Sequence, residues 1–352
     1  MSADEIRRVL GWTEWTSEPL THNAMNAVTR GIWRITADRP VILKVLTGSD
    51  NGRPGWESSH DPRHWNYWRR EAEVYAEGLP RLWKDSGLRA PEPLAVVERD
   101  DGDVALYLED VSDGGASWSL DRHALMALQL GRAQGGTPEI ERPWLSRSFL
   151  RGYVGSKAVP YELLDDGEAW RHPLVRDHFP EGLRGELVRL HRDREWFLEL
   201  TESLPRALCH LDLWPNNLVS SGPDTVLLDW AFVGDGALGE DLGNHIPDSV
   251  FDLFVPAADL PALDRACYGS YVRGLREAGW RGDERLVRLA VCASAIKYDW
   301  LVPGMLRAVD SEQLDYGGAR PVEAARRYRE RGQAMMFLVG WADEARRLAE
   351  TL

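Results

Sequence analysis

Apolar stretches near the start of the chain are short and rich in β-branched residues, and later ones recur at helical spacing. After a short helix candidate, Gly31-Ile32-Trp33-Arg34-Ile35 and Val41-Ile42-Leu43-Lys44-Val45-Leu46 predict two strands. Residues 47–63 are polar and rich in Gly and Pro, which predicts a loop excursion. Trp65, Trp68, Ala72, Tyr75 and Leu79 then form one stripe at helical spacing. Residues 94–98 and 104–108, joined through Asp100-Asp101-Gly102, predict a hairpin. Beyond Gly115 helical spacing dominates, through 125–132, Leu183/Leu187/Leu190/Phe197, Leu286/Ala290/Ala293/Trp300, and a C-terminal segment carrying Ala325, Tyr328, Met335, Leu338 and Ala345. Strands first and helices after predict an α+β protein in two lobes. The smaller, β-rich lobe covers 1–110 and the larger, mainly helical one 111–352. The crossing is placed at 109–115, where periodicity gives way to turn residues.

Within the second strand Lys44 stands among five aliphatic residues. Burying an ammonium costs several kcal/mol unless a partner or a phosphate meets it. An edge strand from which Lys44 snorkels to water is the alternative. On the helix that follows, a turn of 100° per residue sets Glu71 beside the buried stripe and Glu73 away from it. Glu71 is therefore the expected partner of Lys44, and Glu73 the solvated residue.

Residues 210–217, HLDLWPNN, set Asp212 two positions after His210 and Asn217 five after Asp212. Asp229 follows the apolar run Val226-Leu227-Leu228, a buried-strand signal. Phosphoryl transfer from ATP asks a protein mainly to aim a hydroxyl and to neutralise charge with Mg²⁺. An acceptor-only carboxylate at Asp212 suits the aiming, and the hard oxygens of Asn217 and Asp229 suit magnesium. In that setting Lys44 holds the α- and β-phosphates of the nucleotide. A two-His, one-carboxylate iron site from His210, Asp212 and His245 is the competing reading. It leaves Asn217 and Asp229 without a role.

Composition narrows the partners. The 352 residues carry 42 basic and 56 acidic side chains, a net charge of −14, so nucleic acid is not an expected partner. Cys209, Cys267 and Cys292 form no CxxC pair and suit buried thiols in a reducing cytoplasm. Neither an export signal nor an 18-residue apolar run stands out, so no membrane partner is expected. Only four lysines occur (Lys44, Lys84, Lys157, Lys297), which makes a buried one conspicuous.

CHLDLWPNNL, LLDWAFVGDGALGEDLGN and RREAEVY together resemble the catalytic loop, metal-binding strand and lysine-partner helix of the aminoglycoside phosphotransferase and choline kinase family. That resemblance implies a two-lobed protein-kinase-like fold, ATP (or GTP) with Mg²⁺, and transfer of the γ-phosphate to a hydroxyl of a small molecule. It implies Asp212 as base, Asn217 and Asp229 as metal ligands, and Lys44 with Glu71 as the phosphate-positioning pair. The backbone near Glu109 and Val111 becomes the adenine hinge, and His210 and Asp241 brace the loop. The glycine-rich phosphate loop of protein kinases is missing, THNAMNAVTRG standing in its place. Asp241 follows Asp229 by 12 positions, too few for a peptide-positioning activation segment. A pseudokinase is disfavoured because Lys44, Asp212, Asn217 and Asp229 are all retained, and an acyl-hydrolase because no GxSxG occurs. The expected acceptor is an antibiotic or other natural product, with a metabolic alcohol as the alternative. The net charge, with Asp248, Asp252, Asp299 and the neighbouring Trp300 on the acceptor side, suggests a cationic one. An acidic surface serving only solubility is the competing explanation. Asp299, beside Tyr298 and Trp300, is expected either to be capped by a backbone group or to face a pocket.

Overall fold

The computed structural model describes residues 2–22, 26–49, 54–111, 118–314 and 321–352. After α1 (Ala3–Leu10) come β1 (Thr16–Pro19), β2 (Thr29–Thr36), β3 (Pro40–Leu46), α2 (Arg70–Glu77), β4 (Leu88–Arg89), β5 (Pro93–Glu98) and β6 (Val104–Glu109). All of these strands except β4 make one antiparallel sheet in the order β1-β2-β3-β6-β5. Strand side chains alternate between faces. Val41, Leu43 and Val45 accordingly pack with Ile6 of α1, Ala105 and Tyr107 on one face. Lys44 and Leu46 turn to the other face, where Leu46 and Leu106 meet the core that contains Ala72, Val74 and Tyr75 of α2. Lys44 pairs with Ile32 on one side and Leu106 on the other, so its strand is internal to the sheet. Snorkelling from an edge is thereby removed.

The expected stripe from Trp65 to Leu79 is buried throughout, but the helix begins only at Arg70. The Arg70 guanidinium donates to the carbonyls of Pro62 (3.0 Å), His64 (2.6 Å) and Trp65 (3.0 Å). It thus engages acceptors that an earlier helical turn would use. The turn of 61–69 replaces that first helical stretch.

The helical part holds α3 (Leu120–Gly136), α4 (Phe149–Gly155), α5 (Pro173–Arg176), α6 (Leu183–Arg192) and α7 (Arg194–Ser203). Strands β7 (Arg206–Cys209), β8 (Leu218–Ser221), β9 (Asp224–Leu227) and β10 (Gly234–Ala237) interrupt it. Then α8 (Glu240–Phe251), α9 (Leu260–Glu277), α10 (Glu284–Ala293), α11 (Leu301–Arg307) and α12 (Ala324–Thr351) complete it. The short strands frame the loop of 210–217: β7 pairs with β10, and β8 with β9. Strand β4 joins β9 in parallel, so the chain touches this layer before residue 110. Beneath it α3 and α9 cross at backbone contact. A Cβ at Gly131 would lie 2.1 Å from the Tyr271 carbonyl oxygen, and one at Gly274 would lie 2.1 Å from that of Leu128. Only glycine permits that approach.

Residues 284–307 reach by length and composition what a membrane span needs, contrary to the expectation that no such run exists, yet 89% of the 18-residue apolar window within them is buried inside the protein. The three cysteines are free and buried.

Candidate active site

Strand β3 delivers Lys44 between two carboxylates. Its Nζ lies 2.6 Å from Glu71 Oε2 on α2 and 2.9 Å from Asp229 Oδ1 beyond β9. Burial alone would pull the ammonium down, but the charges of Asp229 and Glu71 outweigh it and hold the lysine above its ordinary pKa. Asp229 keeps a carboxylate that is 41% exposed. Burial raises its pKa, but Lys44 more than offsets this and holds it below the usual range. Glu73 instead pairs with Arg69 at 2.8 Å.

The loop after β7 is held in a conformation that a side chain resists. Leu211 has φ 66° and Asp229 φ 54°, both left-handed, a cost of order 1–3 kcal/mol for a non-glycine residue. Asp241, at the start of α8, accepts the His210 N–H at 3.0 Å and the Leu211 N–H at 2.7 Å, fixing the strained turn from behind. Gln134 of α3 donates to the same carboxylate at 2.9 Å, and the Tyr271 hydroxyl of α9 donates to Gln134. The glycine-mediated helix crossing therefore ends on the loop. His210 is buried with Nε2 3.0 Å from the Leu228 carbonyl, which ties the loop to the Asp229 segment.

Asn217 Nδ2 donates to the Asp212 carbonyl and to Asp212 Oδ2, each at 2.9 Å. The carboxamide oxygen then faces away from that pair, as a hard-cation ligand requires. Burial raises the Asp212 carboxyl to about 7, Asp229 adding to the effect and Lys297 opposing it. The iron-site alternative does not assemble. His210 is engaged by Leu228, His245 Nε2 lies 2.9 Å from His123 Nδ1, and among the described residues no group of three His, Cys, Asp or Glu is arranged to hold a metal. Two oxygen ligands from separate segments fit a magnesium ion whose remaining positions go to phosphate and water.

Arg70 carried no sequence signal beyond its place next to Glu71. Fully buried, it also donates to the carbonyls of Trp144 (2.8 Å) and Ala231 (3.0 Å), which brings its hydrogen bonds to five. It pins the Glu71 helix to the residue two beyond Asp229.

The carboxylates anticipated on the acceptor side already have partners. Asp248 accepts from Asn244 at 3.0 Å, and burial raises it to about 7. Asp252 lies 3.7 Å from Arg331. Asp299 is neither backbone-capped nor turned to an open pocket: it takes the Tyr161 hydroxyl at 3.1 Å and His191 Nδ1 at 3.0 Å, with Arg194 at 3.8 Å. The Trp300 ring lies 5.4 Å from Lys157 Nζ. Lys157, Tyr153 and Trp56, which sequence spacing did not single out, complete that cluster; the scarcity of lysine was the available hint.

At the end of β6 the Glu109 N–H donates to the Glu92 carbonyl at 2.9 Å and the side chain pairs with Arg89 at 2.6 Å. An adenine contact from this stretch would therefore fall to the Glu109 carbonyl or to Val111. Most of the expected crossing at 109–115, and part of the segment replacing the glycine-rich loop, lie outside the described residues.

Among solved structures the chain is similar to amicoumacin kinase hAmiN in complex with AMP-PNP, Ca²⁺ and Ami, with TM-score 0.55 and 12% identity over 91% of this chain and 88% of that one. It is similar to a choline/ethanolamine kinase family protein from Mesorhizobium loti, with TM-score 0.50 and 17% identity over 99% and 98% of the two chains. A choline kinase from Cryptosporidium parvum Iowa II gives TM-score 0.50 and 11% identity over 99% and 95%. These likenesses establish the two-lobed, kinase-like α+β fold. No curated protein matches the chain. A model of the phosphotransferase enzyme family matches residues 26–281, from just before β2 to just past α9. Since that span takes in Lys44, Glu71, the strained loop and Asp229 in order, the chain belongs to the phosphotransferase enzyme family, enzymes that phosphorylate hydroxyl groups of small molecules.

Proposed function

We propose that this protein moves the γ-phosphate of ATP, or GTP, to a hydroxyl of a small molecule, with lobes 1–110 and 111–352 closing on the nucleotide and the acceptor respectively. The observation that carries this reading is the Lys44 contact to Glu71 and Asp229, made from the sheet to two other segments. A lysine so held keeps its charge and a fixed position for phosphate oxygens. Glu109 and Val111 flank the adenine. Asn217 and Asp229 would hold Mg²⁺, which when bound neutralises charge on the β- and γ-phosphates. His210 and Asp241 act by positioning the loop.

Asp212 accepts the hydrogen bond of the incoming hydroxyl and takes its proton. The hydroxyl oxygen bonds to the γ-phosphorus, the bond to the β,γ-bridging oxygen breaks, and ADP leaves. Asn217, bonded to the Asp212 carboxylate, limits its rotation and aims it. The likeness to the amicoumacin kinase puts antibiotics and other hydroxylated natural products first among acceptors to be tried, ahead of choline-, sugar- and nucleoside-type alcohols. The motive for a cationic acceptor weakens, because Asp248, Asp252 and Asp299 face internal partners.

The test is ADP release by purified protein across an acceptor panel, with the phosphorylated product identified by mass spectrometry. ADP release is expected to depend on one acceptor class and to stop when EDTA removes divalent metal. Turnover undiminished by EDTA would sink the proposal.

A further inference from the structure

Two of the four lysines end near one aromatic ring, that of Tyr153. Lys157 Nζ lies 3.5 Å from the Tyr153 ring centroid and 3.9 Å from that of Trp56, with Trp300 at 5.4 Å and Trp65 at 5.9 Å. Lys297 Nζ lies 5.1 Å from Tyr153 and 5.7 Å from Phe149. The box is firm, since Trp56, Trp65 and Tyr153 pack edge to face at 5.7–5.9 Å. It stands beside the transfer site: Trp65 and Phe149 pack in one cluster with Leu211, the neighbour of Asp212, and Trp56 and Tyr153 pack against that cluster.

The box already contains its cation. Ring faces attract an ammonium but offer its three N–H groups no oxygen acceptor. Lys157 Nζ is sealed from solvent and has no hydrogen-bond partner among the described residues. Burial pushes it down to about 7, with Lys297 adding to the effect and Asp212 opposing it. The carboxylates of this wall turn to Asn244, Arg331, Tyr161 and His191 rather than to the ammonium. An incoming cation would find the aromatic site filled and meet a like charge. An incoming carboxylate would draw the half-buried lysine's ammonium from between the rings, supply the missing oxygens and relieve the repulsion between the two lysines.

We propose that Lys157, supported by Lys297, makes the acceptor site selective for a hydroxylated carboxylate: the lysine binds the carboxylate while the hydroxyl reaches Asp212. This rests on the phosphotransfer reading above. It makes Lys157 a specificity-determining residue and reverses the charge expected of the acceptor from the composition.

The experiment uses matched probes on aliphatic, sugar and aromatic scaffolds, each as the hydroxylated carboxylic acid, its primary amide, and the amine with an ammonium in the same place. Wild type, Lys157→Met and Lys157→Arg are compared by ADP release and, without nucleotide, by calorimetry. The carboxylate member is expected to bind about tenfold or more tightly than the ammonium member. Lys157→Met is expected to raise the carboxylate KM about tenfold with a much smaller change in kcat, and Lys157→Arg to keep the preference. Preference for the ammonium probe, absence of binding by every carboxylate, or an unchanged carboxylate KM in Lys157→Met overturns the inference. Calorimetry requires no turnover, so wild type that binds carboxylates selectively yet transfers phosphate to no probe would count against the phosphotransfer reading alone.

Discussion

The ammonium groups of Lys44 and Lys157 are both withdrawn from water, yet their surroundings have little in common. Lys44 sits on an internal strand against two carboxylates, at 2.6 and 2.9 Å. Lys157 has rings at 3.5 and 3.9 Å and no hydrogen-bond partner among the described residues. The first cation is compensated before any ligand arrives, so in the proposed reaction its task would be to keep a fixed charge for phosphate. The second is uncompensated until something anionic enters. A buried charge thus identifies a ligand by what it lacks, and a fixed tool by what it already has.

The largest effect that would sharpen this contrast comes from Asp212, which faces both sides. Asp212→Asn is expected to lower kcat about 10²- to 10⁴-fold while Mg·ATP affinity stays near wild type. Turnover within a few-fold of wild type would remove Asp212 as the base. Next comes the compensated side. Lys44→Ala and Glu71→Gln should be non-additive in kcat/KM for Mg·ATP, with a coupling of up to about 3 kcal/mol. Strict additivity would mean that the two groups do not act together.

A smaller effect tests the α8 wall behind the acceptor side. Burial lowers His123 to about 4 and holds its partner His245 well below the usual range. A histidine with a depressed folded pKa lets the unfolded chain bind the extra proton, so stability falls with acidification from about 6.5 toward 4. His123→Leu should therefore lose about 2 kcal/mol less than wild type between pH 7 and 5, measured by urea unfolding. Equal losses would show that His123 does take a proton in the native state.

The smallest effect concerns long-range charge. A protein at −14 repels an anionic acceptor at a distance, and salt screens exposed charges over about 10 Å at 0.1 M. The carboxylate KM should fall about twofold between low salt and 0.1 M, whereas a cationic acceptor would show a rise.

What could be read along the chain was local. The spacing of His210, Asp212 and Asn217 lies within one loop, and Lys44 contrasts with the aliphatic residues on either side of it. The choice of Glu71 over Glu73 needed only helical geometry, although its helix starts five residues later than its apolar stripe. Arg70, whose guanidinium takes the carbonyls ahead of that late start, also reaches those of Trp144 and Ala231, 74 and 161 residues away, which no window of sequence contains. Asp299 failed as an acceptor ligand for the same reason. Its partners Tyr161 and His191 stand 138 and 108 residues away. The box around Lys157 draws on positions 56, 65, 153 and 300, and no periodicity connects them.

Arg70 also bears on control. In a kinase-like fold the helix bearing the lysine's partner is a natural lever for turning activity on and off, because swinging it outward separates the ion pair. Here the swing would strip a buried guanidinium of the carbonyls of Trp144 and Ala231, which lie outside the segment leading into the helix. Charged hydrogen bonds contribute about 1.5–3 kcal/mol each, so the outward state would be scarcely populated. The lever is bolted in the position that keeps the ion pair closed.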